Sequence, residues 1–401
     1  MATTRKSGDV RVRAYNVRFG DCILISFGQG ASEKHILVDF GNAPAGVRNG
    51  GGKNDVFAPV ARDLAKRTNK RIDLLVMSHE HLDHMEGFYS ERAVFDQCDV
   101  GEVWMSIMSS PDYYRRFPQC EPERRARMAL LDKVTNGQGV AHFENLPGPV
   151  QALIANNVLN LANKERVDYL RRLVPAKRLK YLSRRAGATR SSSLGDDVKI
   201  EVLAPEQDAS LYYKSRNKRL WLDMAARLGS VGHARRPRAA AAPPKAPRHM
   251  APDEFAQLRD QIAELDVNDL LAIDKAANNT SLVLRITVHG KVLLLPGDAE
   301  AESWAVMKKA KLLAPVDFLK LAHHGSINGM PFEGTEQVLS HVLKPARKTV
   351  ALVSTCRGVY GDTRETEIPQ HRLMAQLKEK CAKVYVTQDA APFGQGFDIV
   401  L

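Results

Sequence analysis

The stretch that decides the fold is Met77-Ser-His-Glu-His-Leu-Asp-His-Met-Glu-Gly87, which puts three histidines and an aspartate into six residues. It follows an apolar run, Ile72-Asp-Leu-Leu-Val-Met77, that reads as a buried strand. Histidine is scarce elsewhere, with 12 in 401 residues. In extended chain, side chains two apart point the same way, so His79 and His81 can share one metal ion. Asp83 and His84 fall where the strand end turns into a helix, and point to a second position nearby. Imidazole with carboxylate suits zinc, and also manganese or iron.

Working outward, the first 80 residues read as strands, a helix and a strand. Val10–Val17, Cys22–Phe27 and His35–Phe40 are strands, the first alternating with period two. Asp55 to Thr68 has helical spacing, with Asp55 as its expected N-cap. Strands return at Val198–Leu203, Ser281–Val288, Lys291–Leu295, Val316–Leu321, Thr349–Ser354 and Ala382–Val386, with His289-Gly290 as a hairpin turn. Helices fit Asp253–Ala277, Ala299–Lys311 and Pro369–Lys380.

Between these halves the chain changes character. Residues 90 to 190 read as mostly helical and basic, with ten Lys/Arg against two Asp/Glu from Lys164 to Arg190. Residues 206 to 252 carry ten Lys/Arg against three Asp/Glu and include a proline-rich, low-complexity segment, 235–248. The net charge of +12 suggests an acidic partner, nucleic acid first. Tyr181 beside Arg184 and Arg185 suits a stacked single strand, although an ordinary basic helix face is the better reading. The five scattered cysteines form no CxxC pair, so neither a disulfide framework nor a thiolate zinc site is indicated. Without a signal-peptide pattern or an apolar run of about 20 residues, the expectation is a soluble cytoplasmic protein with no membrane segment.

Four further motifs give the first one a context: Ile36-Leu-Val-Asp-Phe-Gly41, Asn278-Asn-Thr-Ser-Leu-Val-Leu284, Leu293-Leu-Leu-Pro-Gly-Asp298 and Leu319-Lys-Leu-Ala-His-His-Gly-Ser326. With His79-Glu-His-Leu-Asp-His84, they resemble the metallo-β-lactamase-fold hydrolases. Together with Gly20-Asp-Cys-Ile-Leu-Ile25, they are most similar to the soluble hydrolase domain of bacterial competence, DNA-uptake proteins. The likeness covers roughly 10–90, 195–205 and 278–390. It implies an α/β class, an αββα sandwich. Residues 1–90 and 278–401 would be its halves, 91–194 a helical basic insertion, 195–205 a returning strand and 206–277 a second basic insertion.

The resemblance also implies roles. His79 and His81 would bind a first metal, and Asp83 and His84 a second. Asp298 would bridge them, and one of His323 and His324 would complete the second site. His323, the first residue past the strand, is preferred as ligand, leaving His324 to meet the leaving group. Asp39 would orient a ligand histidine. The wider family has a further histidine on the first metal. Here His142, His233 and His249 are available, each reading better as a surface residue, or Asn278 or Asn279 takes that place. Tyr360 reads equally as site lining or a plain turn, and Asp21 more as a turn residue than a functional one.

Two metals can activate one water at neutral pH, with Asp83 orienting it or taking its proton. The expected activity is a zinc-dependent phosphodiesterase or nuclease reaching nucleic acid through its basic insertions. The rivals are a hydrolase of a small lactam, lactone or ester, and a non-catalytic scaffold. That scaffold would bind a partner through its insertion, the identity of any protein partner being unknown.

Overall fold

The computed structural model describes residues 8–43, 54–120, 160, 163–185, 187–189, 191–213, 275–334, 337–359 and 367–401. Gly50–Gly52, His142, His233, His249, the proline-rich segment, Tyr360 and most of the expected helix Asp253–Ala277 lie outside the described residues.

Thirteen strands among the described residues form two mixed sheets. The first contains β1 (Arg11–Tyr15), β2 (Cys22–Phe27), β3 (Lys34–Phe40), β4 (Arg71–Met77), β5 (Asp99–Ser106), β6 (Leu179–Leu182) and β13 (Gly396–Val400), in the order β13-β1-β2-β3-β4-β5-β6. The second contains β7 (Lys199–Ala204), β8 (Val283–Val288), β9 (Lys291–Leu295), β10 (Phe318–Lys320), β11 (Val350–Val353) and β12 (Lys383–Val386), in the order β12-β11-β10-β9-β8-β7. Each sheet begins as an antiparallel meander and becomes parallel where helices connect its strands. The hairpin β8–β9 turns on His289 and Gly290, both at positive φ (48° and 74°), as a tight two-residue turn requires.

The sheets pack face to face, with helices outside both. Leu74 and Val76 of β4 meet Leu284, Ile286 and Leu293 of the second sheet, while Leu75 and Met77 face Phe57, Val60 and Leu64 of the helix Phe57–Arg67. On the far side, Trp304 and Met307 of the helix Ala301–Lys309, and Leu373 and Leu377 of the helix His371–Lys380, cover the second sheet. This is an α/β architecture of four layers. Strands buried on both faces explain why β4 reads as a continuous apolar run rather than an alternating one.

Three elements depart from the sequence reading. Residues 91–194 are not only a helical insertion: β5 extends the first sheet parallel to β4, and β6 extends it further. The polar character of these strands hid them. Glu102 of β5 is buried and holds Trp104 Nε1 at 2.7 Å, and Leu-Lys-Tyr-Leu is a short edge. β13 also departs from the sequence reading: five residues, only Ile399 of them buried, that pair antiparallel with β1. Asp55 does not cap its helix but pairs with Arg18 at 3.2 Å.

Candidate metal centre

The motif leaves β4 at Met77 and enters the helix Leu82–Ser90, so its histidines fall at a strand end held by hydrogen bonds. Ser78 N–H and Oγ–H donate to the two oxygens of Asp39, each at 2.7 Å. Two glycines let neighbouring loops close on this turn. A Cβ at Gly41 would lie 2.3 Å from the Leu82 carbonyl oxygen, and one at Gly20 would lie 2.6 Å from that of Asp83. The backbone then locks: Asp21 N–H donates to Asp83 O, and Gly41 N–H to Asp21 O, both at 3.0 Å. The region read as an insertion also grips the motif. Leu82 N–H donates to Asn160 Oδ1 at 2.9 Å, and Asn163 Nδ2 donates to Glu80 O at 2.6 Å.

From the second sheet, Asp298 follows β9 and the histidine pair follows β10. His323 and His324 both adopt left-handed backbone (φ 46° and 55°), a conformation that costs side-chain-bearing residues about 1–3 kcal/mol each and is common at functional sites. The turn throws the two rings apart. His324 points inward and is fully buried, with Nδ1 2.8 Å from Ser354 O and Nε2 3.1 Å from Asp83 Oδ2 and 3.2 Å from Asp298 Oδ2. His84 Nε2 lies 3.2 Å from the same Asp298 oxygen, and its Nδ1 lies 2.8 Å from Asp39. Asp83, His84, Asp298 and His324 therefore direct four ligand atoms at one point, all within 4.8 Å of one another.

This corrects the preference between the two histidines. His324 joins the cluster, while His323 turns its Nδ1 to Glu300 Oε1 at 3.1 Å and keeps 21% of its side chain exposed. The rings of His79 and His81 meet edge-on with centroids 4.4 Å apart, and the His79 and His84 centroids lie 4.3 Å apart, but among the described residues neither His79 nor His81 belongs to a group of three or more converging ligand atoms. Asn279 does not face the cluster. Its Oδ1 accepts from Glu300 N–H and Ser303 N–H at the start of the helix Ala301–Lys309. Asn278 donates to Glu300 Oε1 at 2.9 Å.

Three buried residues were not legible as site residues. Glu300, 1% exposed, backs His323. Lys320, 1% exposed, contacts Asp21 and lies 3.5 Å from Asp298 Oδ1. Asp21, read more as a turn residue, is 2% exposed inside this network. The signal for Lys320 was a lysine in the middle of the apolar Leu-Lys-Leu strand.

Charge shows that the cluster suits a cation. Burial alone would disfavour protonation of His84 and His324. The carboxylates overturn this: Asp298, Asp83 and Asp39 hold His84 well above the ordinary imidazole range, and Asp298, Asp83 and Asp21 lift His324 to about 9. Burial works against ionising Asp298, yet His84, His324 and Lys320 hold its pKa well below the usual range. His79 and His81 behave oppositely. Burial and neighbouring imidazoles push His79 well down, and burial takes His81 to about 4, so both are neutral donors at physiological pH. His79 Nε2 is buried without a hydrogen-bond partner, and His84 Nε2 faces the Asp298 carboxylate at 3.2 Å. Buried imidazole nitrogens, one of them without a partner, beside ionised carboxylates are a donor set that fits a metal ion.

Some of the basic residues from Lys164 to Arg185 are engaged. Arg184 makes a two-pronged contact with Glu206, Arg166 pairs with Glu86 at 2.9 Å, and Lys180 with Glu102 at 3.0 Å. Lys164, Arg172, Lys177, Arg178 and Arg185 are exposed.

No protein-family model matches the chain, and no curated protein matches it. Among the described residues, no helix is long and apolar enough to cross a membrane.

Proposed function

We propose that this chain is a metal-dependent hydrolase of the metallo-β-lactamase kind its motifs resemble, and that it cleaves a phosphodiester. The observation that carries the reading is the convergence of Asp83, His84, Asp298 and His324 on one point. A bound divalent ion, zinc first and manganese or iron next, supplies Lewis acidity and lowers the pKa of water. Asp83, His84, Asp298 and His324 would hold it, with His79 and His81 alongside for a second.

The chain's own groups do the rest. Asp83 sits at the rim of the cluster with 13% of its side chain exposed, placed to orient the attacking water and take its proton. Asp39 fixes the His84 ring through Nδ1. His323, partly open to solvent and backed by Glu300, donates a proton to the departing oxygen. The side-chain hydrogen bond to Glu300 and the nearby Asp298 charge raise the His323 pKa against the effect of burial, keeping it a proton donor near neutrality. A phosphodiester, rather than a lactam or ester, is favoured by the charge of +12 and by the exposed cations from Lys164 to Arg185.

The test is hydrolysis by protein loaded with zinc or manganese, offered single- and double-stranded nucleic acid, a chromogenic phosphodiester, and a chromogenic lactam and ester. Phosphodiester turnover that vanishes with chelator and returns with metal is expected. Turnover of the lactam or ester alone would overturn the substrate class, and no metal-dependent turnover of any substrate would overturn the enzyme.

A further inference from the structure

Among the described residues, two acidic groups meet at His84. One is the cluster of Asp83, His84, Asp298 and His324; the other is Asp21, Asp39 and His84, whose ligand atoms also lie within 4.8 Å of one another. The second group already has a cation beside it. Lys320 reaches in from β10, 1% exposed, with its ammonium against Asp21 Oδ2 and 3.2 Å from the carbonyl oxygen of Gly297. The same ammonium lies 3.5 Å from Oδ1 of Asp298. The two oxygens of Asp298 thus face different cations: Oδ1 the lysine, and Oδ2 the point shared by His84 and His324, 3.2 Å from each.

We propose that Lys320 is a positioning residue of the metal centre. It grips one oxygen of Asp298 so that the other stays turned to the metal, and it occupies the Asp21–Asp39 group so that the ion settles on the His324 side. This rests on the metal reading above. A carboxylate with both oxygens unrestrained rotates about its last side-chain bond, since terminal torsions of this kind are broad. A buried ammonium on one oxygen removes that freedom and orients the ligand, as partners of metal-bound groups commonly do. Three acceptors around a compact ammonium, two carboxylates and a carbonyl, match the three donors lysine carries.

The rival explanation is that Lys320 only neutralises Asp21 and has nothing to do with the metal. The two differ when both partners are removed. Manganese and zinc dissociation constants are measured by competition with a chromophoric chelator, at one pH, for wild type, Lys320→Met, Lys320→Arg and the double variant Asp21→Asn/Lys320→Met. Folding of each is checked by circular dichroism. If Lys320 aims Asp298, Lys320→Met weakens metal binding by about 10–100-fold, the range seen when a partner that orients a metal ligand is removed. Lys320→Arg, which keeps the charge, recovers most of that loss, and the double variant remains weak. A Lys320→Met dissociation constant equal to wild type, or a double variant restored to wild type, overturns the proposal. Should Lys320→Met fail to fold with Asp21 left unpaired, the double variant decides, because both buried charges leave together. A wild type that binds no metal overturns the proposed function itself; a wild type that binds metal beside an indifferent Lys320→Met overturns only the role of Lys320.

Discussion

Loading this centre with metal must expel protons, and their number can be counted. In the metal-free protein the acidic cluster holds His324 up at about 9 and His84 well above 6.5, so both rings are protonated at neutral pH. A metal ion needs the bare Nε2 of each. Two protons therefore leave per ion, and apparent affinity rises by about 100-fold per pH unit near neutrality, or about 2.7 kcal/mol at about 1.36 kcal/mol per proton and unit. The slope begins to flatten as pH approaches about 9, where His324 is half deprotonated without metal. The sign for stability is the reverse. Because the fold raises the pKa of His324 from 6.5 to about 9, protonation stabilises the metal-free protein fully below 6.5 and ceases to do so as pH climbs through about 9. The measurement is calorimetric titration of zinc or manganese into the metal-free protein, in two buffers of different ionisation enthalpy, repeated across this range. Release of fewer than one proton per ion near neutrality, or a flat affinity profile, would refute the electrostatic account of the site.

The other predictions separate the roles assigned above. His324→Ala should lose bound metal by elemental analysis, whereas His323→Ala should keep it and lose turnover mainly for substrates with poor leaving groups. Equal metal loss in both variants would undo the assignment. Glu300→Gln keeps an acceptor oxygen but removes the charge that helps raise the His323 pKa, so the alkaline limb of the turnover profile should move to lower pH; an unmoved limb would leave Glu300 without a part in proton donation. Gly41→Ala should fold with reduced metal content, because its Cβ would press to 2.3 Å from the backbone beside Asp83; normal metal content would show that this approach is not needed. Neutralising Arg172, Lys177, Arg178 and Arg185 together should reduce the salt slope of duplex binding by up to about 0.9 for each phosphate left without a cation. Arg184→Gln should hardly change that slope, since Arg184 is held by Glu206.

What the sequence disclosed follows the length of the physical signal. Strands whose apolar runs stand alone, such as β2 and β4, were legible, as was a helix with spaced apolar residues such as Phe57–Arg67. β5 was not, because Glu102 is buried by partners 90 residues away and contradicts the expected pattern. The histidines and aspartates of the centre were visible through their type and spacing. Which of His323 and His324 points inward was not, since that depends on two left-handed residues in succession, an arrangement that no propensity favours. Glu300 was invisible, and Lys320 showed only as a lysine out of place in an apolar strand, for a related reason: a buried charge makes sense only once its partners from other elements are in place.

The pairing of β1 with β13 also bears on how the chain is made. Arg13 reaches Asp398 across 385 positions, at 3.0 Å, and every residue of β1 has a partner in β13. At about 5–20 residues per second, a ribosome leaves β1 waiting roughly 20–80 s for that partner. Through that interval one edge of the first sheet keeps its backbone donors and acceptors unmatched, the condition under which strands recruit a neighbouring chain. In the finished molecule β1 is an inner strand and β13 takes over as the edge, so the last residues made decide which strand the sheet leaves exposed.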